Sequence, residues 1–176
     1  MLEQTAGLAI FAIFPICMIF ATFYDIFTMT IPNKIVLVLL AGFLILAPIA
    51  GMSLETSLWH VGLAVVILVV GFALFSMGVM GGGDAKLLAV SALWLGPEQT
   101  VVYLLIASLL GGLLTLIIIR GRRMLLPQSL LGVPWITRLH DSTQGVPYGA
   151  ALGPAALYVF PDTVWMTFAT GGGLIG

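Results

Sequence analysis

The chain has 176 residues, of which 61% are hydrophobic and 7% charged, with a net charge of −1. A soluble domain carries about 25% charged residues, so this composition excludes an ordinary soluble globule and points to a chain embedded in a lipid bilayer. The balance also excludes nucleic acid as a partner, there being no basic face to neutralise phosphates, and a single cysteine, Cys17, excludes a disulfide framework and a cysteine-based zinc site.

A helix needs roughly 20 apolar residues to cross the hydrocarbon core. Residues 6–24 form such a run and lead into Asp25. The preceding Met-Leu-Glu-Gln lacks the basic region of a secretory signal, so the run reads as a retained spanning helix. Further runs occupy residues 35–50 and 58–80. A short one, 85–95, follows directly on Gly81-Gly82-Gly83-Asp84. A fifth, 101–119, ends at Arg120-Gly121-Arg122-Arg123, and a sixth, 148–160, precedes Pro161-Asp162. The expectation is an all-α polytopic bundle of six transmembrane helices, one domain over residues 1–176. Residues 120–146 form the one long loop, whose Trp135 and arginines suit a segment lying in the membrane interface. The tail from Thr163 to Gly176 carries no signal.

With the N-terminus outside and the crossings alternating, the inner loops hold Lys34, Lys86, Arg120, Arg122, Arg123 and Arg138, which is every basic residue in the chain. The outer segments hold Glu3, Glu55, Glu98 and Asp162. This is the asymmetry of the positive-inside rule. Removing the short fourth crossing would put the arginine cluster outside, against the rule. Asp25 ends the first crossing and Asp84 begins the fourth, so both carboxylates fall at the inner face at similar depth.

Ionisable groups beside hydrocarbon are costly and call for a reason. Four acids lie in outer loops and Asp141 lies beside His140 in the long inner loop, where solvation explains them. Asp25 and Asp84 adjoin spanning runs. A carboxylate is disfavoured at the negative end of a helix, where Asp25 falls. Asp84 suits an N-cap, a role compatible with catalysis. The glycines before it permit close approach of another backbone. Two close carboxylates do not both ionise easily and share a proton. The ionised one then serves as general base toward water while the protonated one polarises a scissile carbonyl. Lys86 is placed to anchor at the interface, with contact to substrate as the alternative; Pro32-Asn33 is placed to set a turn. His60 and His140 fall on opposite faces, so no metal site and no cofactor is expected.

At these residues the chain resembles the type IV prepilin peptidases, the GxGD-type membrane aspartic peptidases, in the short form associated with Tad/Flp pili. Three segments carry the likeness: Tyr24-Asp25 with Pro32-Asn33 seven residues on, Gly81-Gly82-Gly83-Asp84 followed by Lys86, and Val146-Pro147-Tyr148-Gly149 opening the last helix. The resemblance implies that Asp25 and Asp84 are the catalytic pair, with Gly81, Gly83, Lys86, Pro32, Asn33 and Pro147 shaping the site or binding substrate. It implies a bacterial inner-membrane enzyme that cleaves a prepilin at the cytoplasmic face, between a short basic leader and a hydrophobic segment. The cysteine-rich insert linked with N-methylation in the long members is missing, so no methylation is expected. Two alternatives stand beside this one: a preflagellin- or presenilin-like GxGD peptidase, and a transporter using the Asp pair as an ion or proton site.

Overall fold

The computed structural model describes residues 2–169, with side chains from residue 7 onward, so the reading of the final tail and of Glu3 lies largely outside the described residues. Seven α-helices follow one another: α1 (Leu2–Thr28), α2 (Asn33–Ile49), α3 (Leu54–Ser76), α4 (Gly82–Arg122), α5 (Pro134–His140), α6 (Gly149–Val159) and α7 (Val164–Ala169). Single 3-10 turns stand at Gln128–Leu130 and Phe160–Asp162, and no strand occurs among the described residues. By length and composition α1, α3 and α4 are apolar enough to cross a membrane, while α2 is apolar but has 17 residues. The protein is an all-α membrane helical bundle.

Several boundaries differ from the sequence reading: the run expected at 58–80 is α3 (Leu54–Ser76), and the expected loop 120–146 holds the end of α4 and all of α5. α1 continues one turn past Asp25, which therefore lies inside the helix, with its carbonyl accepting from Met29 N. The runs at 85–95 and 101–119 are the two arms of a single element, α4, without a loop between them.

The joint is Gly96. Its φ of 74° and ψ of 176° lie in a region open essentially only to glycine. Pro97 follows, and its fixed φ suits the first position of a new helix. The arms fold back on one another: Leu88 of the first and Leu104 and Gly111 of the second line the same groove. In a straight helix Leu88 and Gly111 would stand about 35 Å apart. The buried His60 of α3 closes the joint. Its Nδ1 lies 2.8 Å from the Leu93 carbonyl, and its ring fills the space where a Cβ on Gly96 would stand.

Close packing at small residues joins the remaining helices, as expected where lipid removes the hydrophobic drive between them. α3 and α6 pack on α4, α6 on α1, and α2 on α1 and α4. Gly153 of α6 lets the α1 backbone approach so closely that a Cβ there would stand 2.8 Å from the Met18 carbonyl oxygen. Near the Gly96 end, Trp94 Nε1 donates to the Leu39 carbonyl at 2.9 Å and Trp165 Nε1 to the Trp94 carbonyl at 2.7 Å. These bonds satisfy both indoles inside an aromatic cluster with Phe14 and Phe43.

The two ends differ in charge. Asp25 and Asp84 share their end with the basic residues: Lys34 and Lys86 open helices there, and Arg120, Arg122 and Arg123 close α4. The long loop is tied to the same end. Arg138 donates to the Phe27 carbonyl at 2.7 Å, and Arg122 donates to the carbonyls of Leu139 and Gly145. Glu98 and Asp162 meet around His60 at the other end, with Glu55 close by.

Candidate active site

Asp84 is the third residue of α4. The N-cap is Gly81, with no side-chain capping bond, so the sequence expectation of an Asp84 cap is corrected: the helix starts three residues earlier. A carboxylate in the first turn still faces the positive end of the helix. It turns back over Gly81, where a Cβ would stand 2.6 Å from Asp84 Oδ2.

Asp25 sits in the last full turn of α1, at the unfavourable end of that helix. Another helix compensates: the N–H of Gly149, the first residue of α6, donates to Asp25 Oδ2 at 2.7 Å. A helix N-terminus is a natural anion site. Thus the misplaced charge of α1 is held by the start of α6.

The two carboxylates come together. They line one cavity of about 280 Å³ with Met29, Thr30, Ile31, the three glycines 81–83 and Lys86. Both are buried, at 3% and 8% exposure. Asp84 lies within reach of the Asp25 charge and beside the same Gly149 N–H. Gly83 passes Ile31 so closely that a Cβ would stand 3.2 Å from the isoleucine Cβ, and at Gly149 a Cβ would stand 2.8 Å from Asp25 Oδ2. Met29 on the cavity wall has φ 54°, a left-handed conformation uncommon outside glycine.

The other sequence candidates fall around this centre. Lys86 Nζ donates to Asn33 Oδ1 at 2.8 Å, which joins the starts of α4 and α2 beside the cavity that Lys86 lines. Pro32 caps α2 in extended conformation, so Pro32-Asn33 does form the turn into that helix. Pro147 begins the turn into α6, its carbonyl accepting from Ala150 N. Asp141 stands apart in the long loop. The backbone N–H and hydroxyl of Thr143 bond its carboxylate and hold it below the ordinary carboxylate range.

The model of the type IV leader peptidase family matches residues 12–116, a span containing both aspartates and the glycine run. The chain belongs to the type IV leader peptidase family. No curated protein and no solved structure matches it. Membership makes it a peptidase family member with a prepilin-type protein substrate and agrees with the apolar helices of a membrane protein.

For a leader peptidase, the residue that sequence reading undervalued is Gly149. It was legible only as the last letter of Val146-Pro147-Tyr148-Gly149, and it lies beyond the span matched by the family model. Nothing in the local sequence says that its N–H meets a carboxylate 124 residues away. His60 was a bland histidine in sequence and is the seal of the α4 joint.

Proposed function

We propose that this leader peptidase is an aspartic endopeptidase whose catalytic pair is Asp25 and Asp84. It removes the short leader of Flp-type prepilins at the cytoplasmic face of the bacterial inner membrane. The observation that carries it is the convergence of two buried carboxylates, from α1 and α4, on one small cavity walled by glycines. One carboxylate takes a proton from an attacking water, and the other, protonated, donates to the scissile carbonyl oxygen. The tetrahedral diol collapses as a proton passes to the amide nitrogen, releasing the leader carboxylate and the new amino terminus. Because the pair shares its proton, neither aspartate carries a fixed role.

Gly81 and Gly83 leave room for an extended substrate backbone. Lys86 lines the cavity with its ammonium bonded to Asn33, and Pro32 and Pro147 fix the turns into α2 and α6. The single domain crosses the membrane six times in this reading, the arms of α4 counting as two, with the N-terminus outside. The clustering of basic residues at the Asp25–Asp84 end supports that orientation.

The test is co-expression with Flp-type prepilins, reading the precursor's N-terminus by mass spectrometry. Wild type is expected to remove the leader and add no methyl group. Asp25→Asn and Asp84→Asn are each expected to fold, insert and lower cleavage by about 10³-fold or more. Normal processing by either variant would end the dyad assignment. Cleavage of preflagellin-type precursors alone would move the substrate to that class.

A further inference from the structure

An apolar groove of about 290 Å³ opens between α2 and α3, with the first arm of α4 as its floor. Leu40 and Leu44 form one wall, Ala64 and Leu68 the other, and Ala89 lies on the floor. α2 and α3 each pack on α4 but scarcely touch one another, so the groove is a cleft between splayed helices. Its lining is apolar except for one residue, Lys86. Lys86 also lines the cavity that holds Asp25 and Asp84. The groove and the candidate active site therefore meet at a single side chain, whose ammonium donates to Asn33 at the start of α2.

We infer that this groove seats the hydrophobic segment of the prepilin immediately beyond the scissile bond. The assignment rests on the peptidase reading above. It is carried by continuity: Lys86 lines both the aspartate cavity and the groove, so a chain whose peptide bond lies between the two aspartates reaches the groove at Lys86. The chemistry changes at the same point, from a polar cavity walled by backbone and carboxylates to a surface of aliphatic carbon. The floor from Lys86 to Leu93 is about 10 Å long, room for about two turns of an apolar helix. The walls are open to lipid, with Leu40, Leu44 and Leu68 exposed, so a membrane-embedded segment arrives by sliding sideways from the bilayer.

A second groove, of about 740 Å³, lies on the opposite face of α3 and is lined by Leu104, Ser108, Gly112 and Leu116. None of its lining residues lines the aspartate cavity. It provides the control.

The experiment uses full-length Asp84→Asn protein, expected to bind the prepilin without cutting it, with p-benzoylphenylalanine in place of Leu44, Leu68 or Leu116 in separate samples. Each is irradiated in membranes with a Flp-type prepilin, and adducts are mapped by mass spectrometry. Adducts to the prepilin's apolar segment are expected from positions 44 and 68 and not from 116. In the active protein, Ala64→Phe is expected to raise KM about tenfold while leaving kcat within twofold, because it narrows the groove and touches neither aspartate. Prepilin adducts only from position 116, adducts at 44 and 68 only to lipid or to a second copy of this chain, or an unchanged KM would overturn the groove assignment. If wild type still cleaved, the peptidase reading would survive that result. Failure of wild type to cleave any prepilin would sink both.

Discussion

At the scale of single residues the site depends on absent side chains as much as on present ones. Gly149 is the sharpest case. A Cβ there would stand 2.8 Å from Asp25 Oδ2 and 3.0 Å from Asp25 Cβ, with Ile31 Cδ1 also at 3.0 Å. Its helical backbone tolerates alanine, so the effect of Gly149→Ala is steric displacement of one carboxylate. Misplacing a catalytic group by about 1 Å costs on the order of 10²-fold in rate. Cleavage by Gly149→Ala is therefore expected to fall by about that factor while circular dichroism and membrane insertion stay normal; a fully active variant would show that the Asp25–Gly149 contact is dispensable. Asp25 and Asp84 themselves were legible in sequence, because a charge beside an apolar run stands out. Their partners were not. The Gly149 N–H and the Lys86–Asn33 bond are contacts made over 124 and 53 residues of chain, and periodicity carries no information about such pairings.

At the scale of elements, two glycines hold the bundle by different physics. Gly153 is a packing glycine: alanine would meet Thr22 Oγ1 and the Met18 carbonyl, forcing α6 off α1. Overpacking of this kind costs about 1–3 kcal/mol, so Gly153→Ala is expected to lower the thermal midpoint in detergent, and cleavage with it, since α6 carries Gly149. Gly96 is a conformational glycine as well. Alanine there faces a forbidden φ and a His60 atom at 2.5 Å. Gly96→Ala is expected to reduce the folded protein sharply, measured as protease resistance in membranes. His60→Ala in the same chain removes the clash but not the strained φ, so its rescue should be partial at best. Complete rescue would mean that the backbone conformation matters little. Sequence hydropathy found both arms of α4 and left residues 96–100 between them as an outer segment. It gave the break several residues, because Glu98, Gln99 and Thr100 read as polar loop, whereas in the fold they continue the second helical arm.

At the scale of the whole molecule the organising feature is polarity from end to end. The six basic residues gather with the aspartates, and Glu55, Glu98 and Asp162 with His60. This was the most legible feature of the sequence, because charge counts need no knowledge of packing. Its consequence is open to labelling. Cys17 is the only cysteine, so a Cys17→Ser background carrying Arg123→Cys or Glu55→Cys reports sidedness. In intact bacterial cells a membrane-impermeant maleimide is expected to label the position 55 variant and to spare the position 123 variant until the membrane is opened. The reverse pattern would invert the proposed orientation.

The unequal arms of α4 give that polarity a shape. Its first arm, residues 82–95, rises about 21 Å, and its second, residues 97–122, about 39 Å, from a common joint at Gly96. The hydrocarbon layer is about 30 Å thick. Two antiparallel arms that start level and differ by about 18 Å cannot finish level, so the basic end has a stepped profile, with Asp84 on the lower tread and the arginines on the upper. In the orientation proposed above, the lower tread lies about 18 Å below the upper one, so water would follow the step down to the aspartates. If the aspartates are the catalytic pair proposed above, hydrolysis is brought down to the bond, and a membrane-anchored substrate need not be drawn out of the bilayer to be cut.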